Sequence, residues 1–149
     1  MPFTNSNDYL DGRKPVVFPS GIETVAVRFP IALASADLDA NDCGTVAILP
    51  AGCVPVGLVY DSDDLDTNVS PTIAASVGPV NSGATDLSST WASGITASQS
   101  GASAVVSLST AAMRLAPAAT DTLIGIKFTA AAATKAAGEV GLTLLYRAA

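Results

Sequence analysis

The sequence predicts an all-β protein, an antiparallel β-sandwich or jelly roll of about eight short strands preceded by an extended N-terminal arm. Apolar and polar residues alternate over several short segments, as they do in half-buried strands. Gly, Pro and Asp residues, which favour turns, separate these segments. No segment carries the longer apolar repeat of an amphipathic helix. Many short strands joined by turns are typical of sandwiches and jelly rolls.

The 149 residues suit one domain with a single core. We expect an arm at residues 1–20 and a single β-sandwich domain at residues 21–149. The arm is polar and turn-prone, with Asp11-Gly12 and three prolines. Such an arm needs a surface to become ordered, either its own domain or a neighbouring chain. The residues that we expect to contact a partner are three apolar anchors and one cation, namely Phe3, Tyr9, Leu10 and Arg13.

The clearest strand pattern runs from Glu23 to Ile31, where every second residue is large and apolar. Pro30 marks this strand as an edge strand or marks its end. Two more strands, Thr45–Leu49 and Val54–Tyr60, follow on either side of the turn Pro50-Ala51-Gly52. The remaining predicted strands are Pro71–Gly78, Ala104–Ser109, Thr122–Thr129 and Glu139–Arg147.

Three segments are predicted as connections. Asn81–Gly101, rich in Ser, Thr and Gly, is expected to be a long loop with room for one helical turn beginning at Thr85 or Asp86. Ala111–Leu115 is expected to be a short turn. Ala130–Gly138 is too short for a stable helix of its own and is interpreted as a hairpin connection.

Charge argues against two classes of partner. Seven Lys and Arg residues against 13 Asp and Glu residues give a net charge of −6, so the basic face needed for nucleic acid is missing. Leu87–Met113 is uncharged, but its many Ser, Thr and Gly residues do not make a membrane span. The first residues lack the basic and apolar regions of a secretion signal, so we expect synthesis and use in a cytosol.

The composition also argues against an enzyme. The chain has no His, which removes the commonest general base and the usual partner of a nucleophilic Ser or Cys. It has no nucleophile elbow, no phosphate loop and no dinucleotide-binding glycine pattern. We therefore predict no catalytic residue, no cofactor and no resident metal.

The acidic segment Asp61–Asn68 is the densest cluster of charge. Asp64, Asp66 and Asn68 match the first three ligand positions of a calcium loop, but Val69 and Ala75 stand where that loop needs Gly and Glu. The favoured interpretation is a solvated strand-to-strand connection whose Asp side chains cap its own backbone amides. A looser calcium site formed by the Asp residues is the alternative.

The two cysteines and the aromatic residues Trp91 and Tyr60 each have two possible interpretations. Cys43 and Cys53 are expected to be reduced structural thiols, and a bridge across one hairpin is the other possibility. Trp91 and Tyr60 could stack on a sugar, although a single Trp in a chain with 5% aromatic residues more often lies in the core. The Trp91 alternative corresponds to a receptor- or glycan-binding module, with Asn81–Gly101 as its contact loop.

From about Ala47 to Arg147 the chain resembles the head decoration, or cement, proteins of tailed bacteriophages. The segments that carry this resemblance are Leu49–Gly52, Val59–Asp66, Ile73, Val77-Gly78, Leu123–Ile126 and Ala137–Arg147. The resemblance is one of pattern and composition, and the N-terminal arm has no counterpart in it.

The resemblance implies a non-enzymatic structural protein on the outer capsid surface of a virion, synthesised in the bacterial host cytoplasm. It implies binding to the major capsid protein and to itself, as a homotrimer or a dimer, and stabilisation of contacts between capsid subunits. The four arm residues are assigned to partner contact from the arm's composition and not from the resemblance. The alternative function is that of a receptor- or glycan-binding β-sandwich module of a phage tail fibre or spike.

Overall fold

The computed structural model describes residues 2–149 and contains two four-stranded antiparallel sheets. The first sheet has the strand order β1-β8-β3-β6, and the second has the order β2-β7-β4-β5. The strands are β1 Thr24–Leu33, β2 Cys43–Leu49, β3 Cys53–Ser62, β4 Ala74–Pro79, β5 Ala92–Ile95, β6 Ser103–Val106, β7 Thr122–Ala130 and β8 Gly138–Ala148. Chain-adjacent strands mostly lie in opposite sheets, which is the jelly-roll arrangement, so the predicted fold class is confirmed.

The helical segments are short. Ser35–Asp37 and Ala97–Gln99 form 3-10 turns, and α1 spans Thr110–Met113. The side chain of Ser109 accepts a hydrogen bond from the N–H of Ala112 and so caps α1. No helix within residues 2–149 is long and apolar enough to cross a bilayer.

The predicted alternation of β1 is confirmed. Val27, Phe29 and Ile31 are buried while Ala26 and Arg28 are exposed. β1 is an edge strand, as Pro30 indicated, because β8 pairs with it on one side only.

The core fills the space between the sheets. Both sheets contribute large side chains that are almost completely inaccessible to solvent, among them Phe29, Tyr60, Tyr146, Ile124, Ile126 and Phe128. The predicted inward face of β7 supplies the last three. Side chains of this size pack two sheets about 10 Å apart.

Two of the predicted connections are wrong. Asn81–Gly101 contains β5 and the 3-10 turn Ala97–Gln99, and its predicted helical turn at Thr85 or Asp86 is absent from the described chain. Ala130–Gly138 is not a hairpin connection, because β7 lies in the second sheet and β8 in the first, so the segment crosses from one sheet to the other.

Cys43 and Cys53 are free and buried. Cys43 begins β2 in the second sheet and Cys53 begins β3 in the first, so the seven residues of β2 separate them. A strand of that length spans roughly 20 Å, far beyond the reach of a disulfide. Burial raises the pKa of the Cys43 thiol to about 11, which keeps it protonated and unreactive at neutral pH.

Candidate functional site

The N-terminal arm closes one open side of the sandwich, between the edge strands β1 and β2. Pro2 forms a parallel bridge with Cys43, and the N–H of Phe3 donates to the Cys43 carbonyl at 2.8 Å. Only 6% of Phe3 is exposed. A side chain at Gly44 would overlap the Phe3 ring, so glycine at that position provides the space that the ring occupies.

Two asparagines then attach the arm to the sheet edges. Asn7 donates to the carbonyls of Pro30 in β1 at 2.9 Å and Val46 in β2 at 2.8 Å, and therefore joins the two sheets. Asn5 donates to the Ala32 carbonyl of β1. These outward carbonyls belong to edge strands, where an uncovered backbone group would be open to another strand.

The middle of the arm folds back on itself over the core. The Tyr9 ring lies 4.7 Å from the Phe29 ring, and the Lys14 ammonium lies 5.1 Å from the centre of the Tyr9 ring. Tyr146, a core residue of β8, donates its hydroxyl hydrogen to the Val17 carbonyl. The arm is therefore ordered by its own domain, one of the two surfaces expected for it.

The four predicted partner-contact residues fall into different environments. Phe3 is buried in its own core, Tyr9 and Leu10 are half-buried, and Arg13 is exposed beside Asp8, with 3.7 Å between their charged groups. Their contact with a partner stays a prediction.

Sequence reasoning missed three exposed apolar residues at the end of the arm and just beyond it, Val17, Phe18 and Ile22. These side chains are 53%, 57% and 101% exposed. The signal was present, because Val16-Val17-Phe18 is an apolar run in a segment interpreted only as polar and turn-prone. Three large apolar side chains exposed so close together in the chain are a candidate site of interaction.

The acidic loop is organised around Asp66, which is 1% exposed. Its carboxylate accepts four well-formed backbone hydrogen bonds, from Thr72, Ile73, Ala133 and Thr134, at 2.7 to 3.2 Å. Burial by itself would raise the pKa of Asp66, but these donors outweigh burial and hold the pKa well below its usual range. Within the acidic segment Asp64 and Asp66 accept the N–H groups of Asp66 and Asn68, as expected. The expectation of a solvated connection is wrong at Asp66, because this side chain is buried and its main donors belong to two other segments.

The neighbouring acids do the same or form ion pairs. Asp63 accepts the N–H of Glu139 at 2.7 Å, and Asp64 accepts the N–H of Asp66 at 3.1 Å. Asp61 pairs with Arg28 at 2.6 Å. Among residues 2–149, no group of three or more potential ligand side chains is placed to hold a metal ion.

A polar cluster lies on the outer face of the first sheet. Arg28 of β1 contacts Asp61 of β3 and, at 3.0 Å, Glu139 of β8. The hydrogen bond to Asp61 raises the pKa of Arg28. Gly141 lies beneath the pair, where any side chain would collide with the guanidinium. The cluster ties three strands together at the surface and is partly solvent-screened.

The sugar-stacking alternative is contradicted by burial. Trp91 is 1% exposed and Tyr60 is completely buried, so neither ring offers a face to a ligand. The Tyr60 hydroxyl lies 2.8 Å from the Ser98 hydroxyl inside the core, and burial raises the pKa of Tyr60 to about 12. Both aromatic residues are core residues, because their rings fill the interior between the sheets.

No protein-family model and no curated protein matches the chain. Solved structures do match, and two of them are phage capsids. A chain of a structure described as the capsid of Ralstonia phage GP4 is 27% identical, with a TM-score of 0.83, over 97% of this chain and 97% of that chain. A chain of the cyanophage Pam1 capsid asymmetric unit is 28% identical, with a TM-score of 0.69, over 91% of this chain and 94% of that chain.

Both matches cover more than nine-tenths of the chain. They support a structural protein of a phage virion related to capsid proteins. Such proteins are generally non-enzymatic.

Proposed function

We propose that this protein is a capsid decoration protein, which binds the outer surface of a phage capsid as a homo-oligomer and stabilises contacts between major capsid protein subunits. The observation that carries the proposal is the likeness to a phage capsid chain over 97% of both lengths.

The surface near the arm supports a contact with neighbouring subunits. Leu10, Arg13 and the exposed apolar residues Val17, Phe18 and Ile22 lie on one continuous segment of chain. An apolar centre with a cation beside it is a common composition of interface anchors. In this proposal Tyr9, Leu10 and Arg13 reach the neighbour, while Phe3 holds the start of the arm against its own domain.

Stabilisation would follow from linkage. A protein that binds across the seam between two capsid subunits binds the assembled shell more tightly than separated subunits. Occupancy therefore shifts the equilibrium towards the assembled shell. Because many copies bind one shell, a small stabilisation free energy at each site adds up to a large one for the whole shell.

The first test is the copy number of the chain relative to the major capsid protein, measured by quantitative mass spectrometry of purified particles. A decoration protein gives hundreds of copies in a simple ratio to the capsid protein. A handful of copies would place the chain at a vertex or in the tail, and its absence from particles would overturn the proposal.

The second test is attachment of purified variants to particles stripped of the protein. Leu10→Asp combined with Arg13→Glu places acid at the proposed contact, and we expect binding to fall at least about tenfold, the equivalent of one lost interface anchor. Arg114→Glu, which changes an exposed cation beyond α1, is the matched control and should bind normally. Equal binding by both variants would remove the arm from the contact.

A further inference from the structure

Each sheet has two edges, and the structure leaves one of the four edges uncovered. The β1 edge carries Pro30 and Arg28, and its outward carbonyls at Pro30 and Ala32 accept hydrogen bonds from the arm. The β2 edge is bridged by Pro2 and interrupted by a register shift. Proline, charge, bulges and coverage are the usual means of protecting a sheet edge from another strand.

The remaining edges are β5 and β6, on the side opposite the arm. β5 is interrupted by a register shift in its pairing with β4 and by Gly94 at φ +68°. β6 has the sequence Ser103-Ala104-Val105-Val106 and pairs with β3 in an unbroken register. It contains no Pro, no charge and no bulge, and Val105 is 87% exposed.

The pairing with β3 determines which backbone groups of β6 face outward. The N–H of Ser62 donates to the carbonyl of Ala102, so in the antiparallel ladder Ala104 and Val106 bond to β3. Ser103 and Val105 therefore direct their N–H and C=O groups away from the sheet. Within the described residues these outward groups have no hydrogen-bond partner.

Charge indicates what can cover this edge. The chain carries a net charge of −6, so two copies repel each other over most of their surface. Leu87–Met113, which contains both β5 and β6, has no charged residue. An open groove of about 380 Å³ between β5 and β6 is also lined only by uncharged residues. Ser103, at the start of β6, also borders a groove whose lining includes Arg28, Asp61, Asp63 and Glu139. Val105 and Val106 line the uncharged groove, so this part of β6 is where a second copy can approach with the least repulsion between like charges.

We propose that β6 pairs antiparallel with β6 of a second copy about a twofold axis, which joins the two first sheets into one eight-stranded sheet. With Ala104 on the axis, Ser103 of each copy lies opposite Val105 of the other and exchanges both hydrogen bonds with it. Four backbone hydrogen bonds form, and both exposed Val105 side chains become covered. The inference deepens the proposed homo-oligomer and rests on it, and it favours the dimer over the trimer.

The test is the oligomeric state of the full chain in sedimentation velocity over a range of concentrations. Val105→Pro removes an outward N–H while leaving the ladder to β3 intact, and Val105→Lys places two like charges in the interface, one on either side of the axis. The matched controls are Ala26→Pro, at an outward-facing position of the β1 edge, and Val69→Lys, at a residue that is 100% exposed.

We expect a concentration-dependent dimer for the wild type and for both controls. Each Val105 variant should raise the dimer dissociation constant about tenfold or more. The substitution is present in both copies, so each contact that it removes is lost twice in the dimer. A wild-type monomer, a wild-type trimer, or a dimer that persists in both Val105 variants would overturn the inference. Val105→Lys keeps the test decisive if Val105→Pro does not fold.

The two proposals fail separately. A chain that is monomeric in solution yet present in hundreds of copies on particles overturns the β6 pairing alone. A β6-dependent dimer that is missing from particles overturns the decoration role alone.

Discussion

At the scale of single residues, Asp66 is the side chain on which two distant loops converge. Its carboxylate accepts N–H groups from residues 72–73 and 133–134, which lie before β4 and between β7 and β8. It therefore replaces the hydrogen bonds that these crossings between sheets cannot make with a neighbouring strand.

Asp66→Asn tests this role. The amide keeps the shape but turns one acceptor into a donor that faces backbone N–H groups, so we expect the free energy of unfolding to fall by about 2–4 kcal/mol in urea at pH 7. Asp8→Asn removes the same charge from an exposed side chain and should change it by less than about 0.5 kcal/mol.

The pH dependence follows from the lowered pKa of Asp66. A carboxylate with a depressed pKa stabilises the fold fully above its ordinary value of about 3.9 and loses that contribution as the pH falls towards the folded-state pKa. The wild type should therefore lose more stability between pH 7 and pH 3 than Asp66→Asn does. Parallel losses in the two proteins would contradict the assignment.

Gly44 is the second residue with a specific consequence. Because a methyl group there overlaps the Phe3 ring, Gly44→Ala should expel Phe3 and loosen the start of the arm. We expect faster hydrogen exchange over residues 2–7, measured by mass spectrometry. Gly57→Ala is the control, since its added methyl would lie at an ordinary 3.6 Å from Leu145. Unchanged exchange in Gly44→Ala would show that Phe3 finds another place.

At the scale of elements, the arm acts as a cover for two sheet edges. Asn7 is its central contact, because one side chain holds a carbonyl of β1 and a carbonyl of β2 and accepts the N–H of Leu10 at 2.9 Å. A strand edge without such a cover invites pairing with another chain.

Asn7→Ala should therefore lower the unfolding free energy by about 1–3 kcal/mol and increase aggregation on warming, because two carbonyls lose their donor. Thr4→Ala, an exposed neighbour on the same arm, should leave both properties unchanged. Thermal unfolding followed together with light scattering measures the two effects. Normal stability in Asn7→Ala would mean that water replaces the side chain at these carbonyls.

The sequence predicted best those strands that bury one face and expose the other. β1 and β7 each bury one face, so alternation reveals them. β5 was missed because Ala92–Ile95 is short, contains Gly94 at positive φ and pairs irregularly with β4. The hairpin between β7 and β8 was wrong because the partner of a strand depends on packing between distant segments, which local alternation does not encode.

The same distinction applies to the candidate site. The arm and its apolar anchors could be recognised from composition, but the position of Phe3 depends on Gly44, 41 residues later. The asparagine contacts to β1 and β2 depend on the two sheets being brought side by side. Trp91 is an example of the opposite kind. As a residue type it could stack on a sugar, but its burial in the core leaves no exposed ring face for a ligand.

At the scale of the whole molecule, the two sides of the sandwich differ. The side between β1 and β2 is closed by the chain's own arm, while the side between β5 and β6 is open and uncharged. The exposed residues Val17, Phe18 and Ile22 lie at the end of the arm and just beyond it. In the two proposals above, the arm region contacts the capsid and β6 contacts a second copy.

Two separate surfaces predict a dose-dependent effect on the shell. Addition of the protein to particles that lack it should raise the temperature of shell disruption, and the rise should grow with free protein concentration as the sites fill. At a concentration 100 times the dissociation constant, each site contributes about 2.7 kcal/mol. Differential scanning calorimetry of the particles measures the shift.

Variants of the two proposed contacts show which contact produces this rise in the disruption temperature. Leu10→Asp with Arg13→Glu, which changes the proposed capsid contact, should abolish it at every concentration. Val105→Lys, which changes the β6 edge, should preserve the shift but require a higher concentration, because a single copy binds with one contact where a dimer has two. A shift that is the same for all three proteins would mean that neither surface carries the stabilisation.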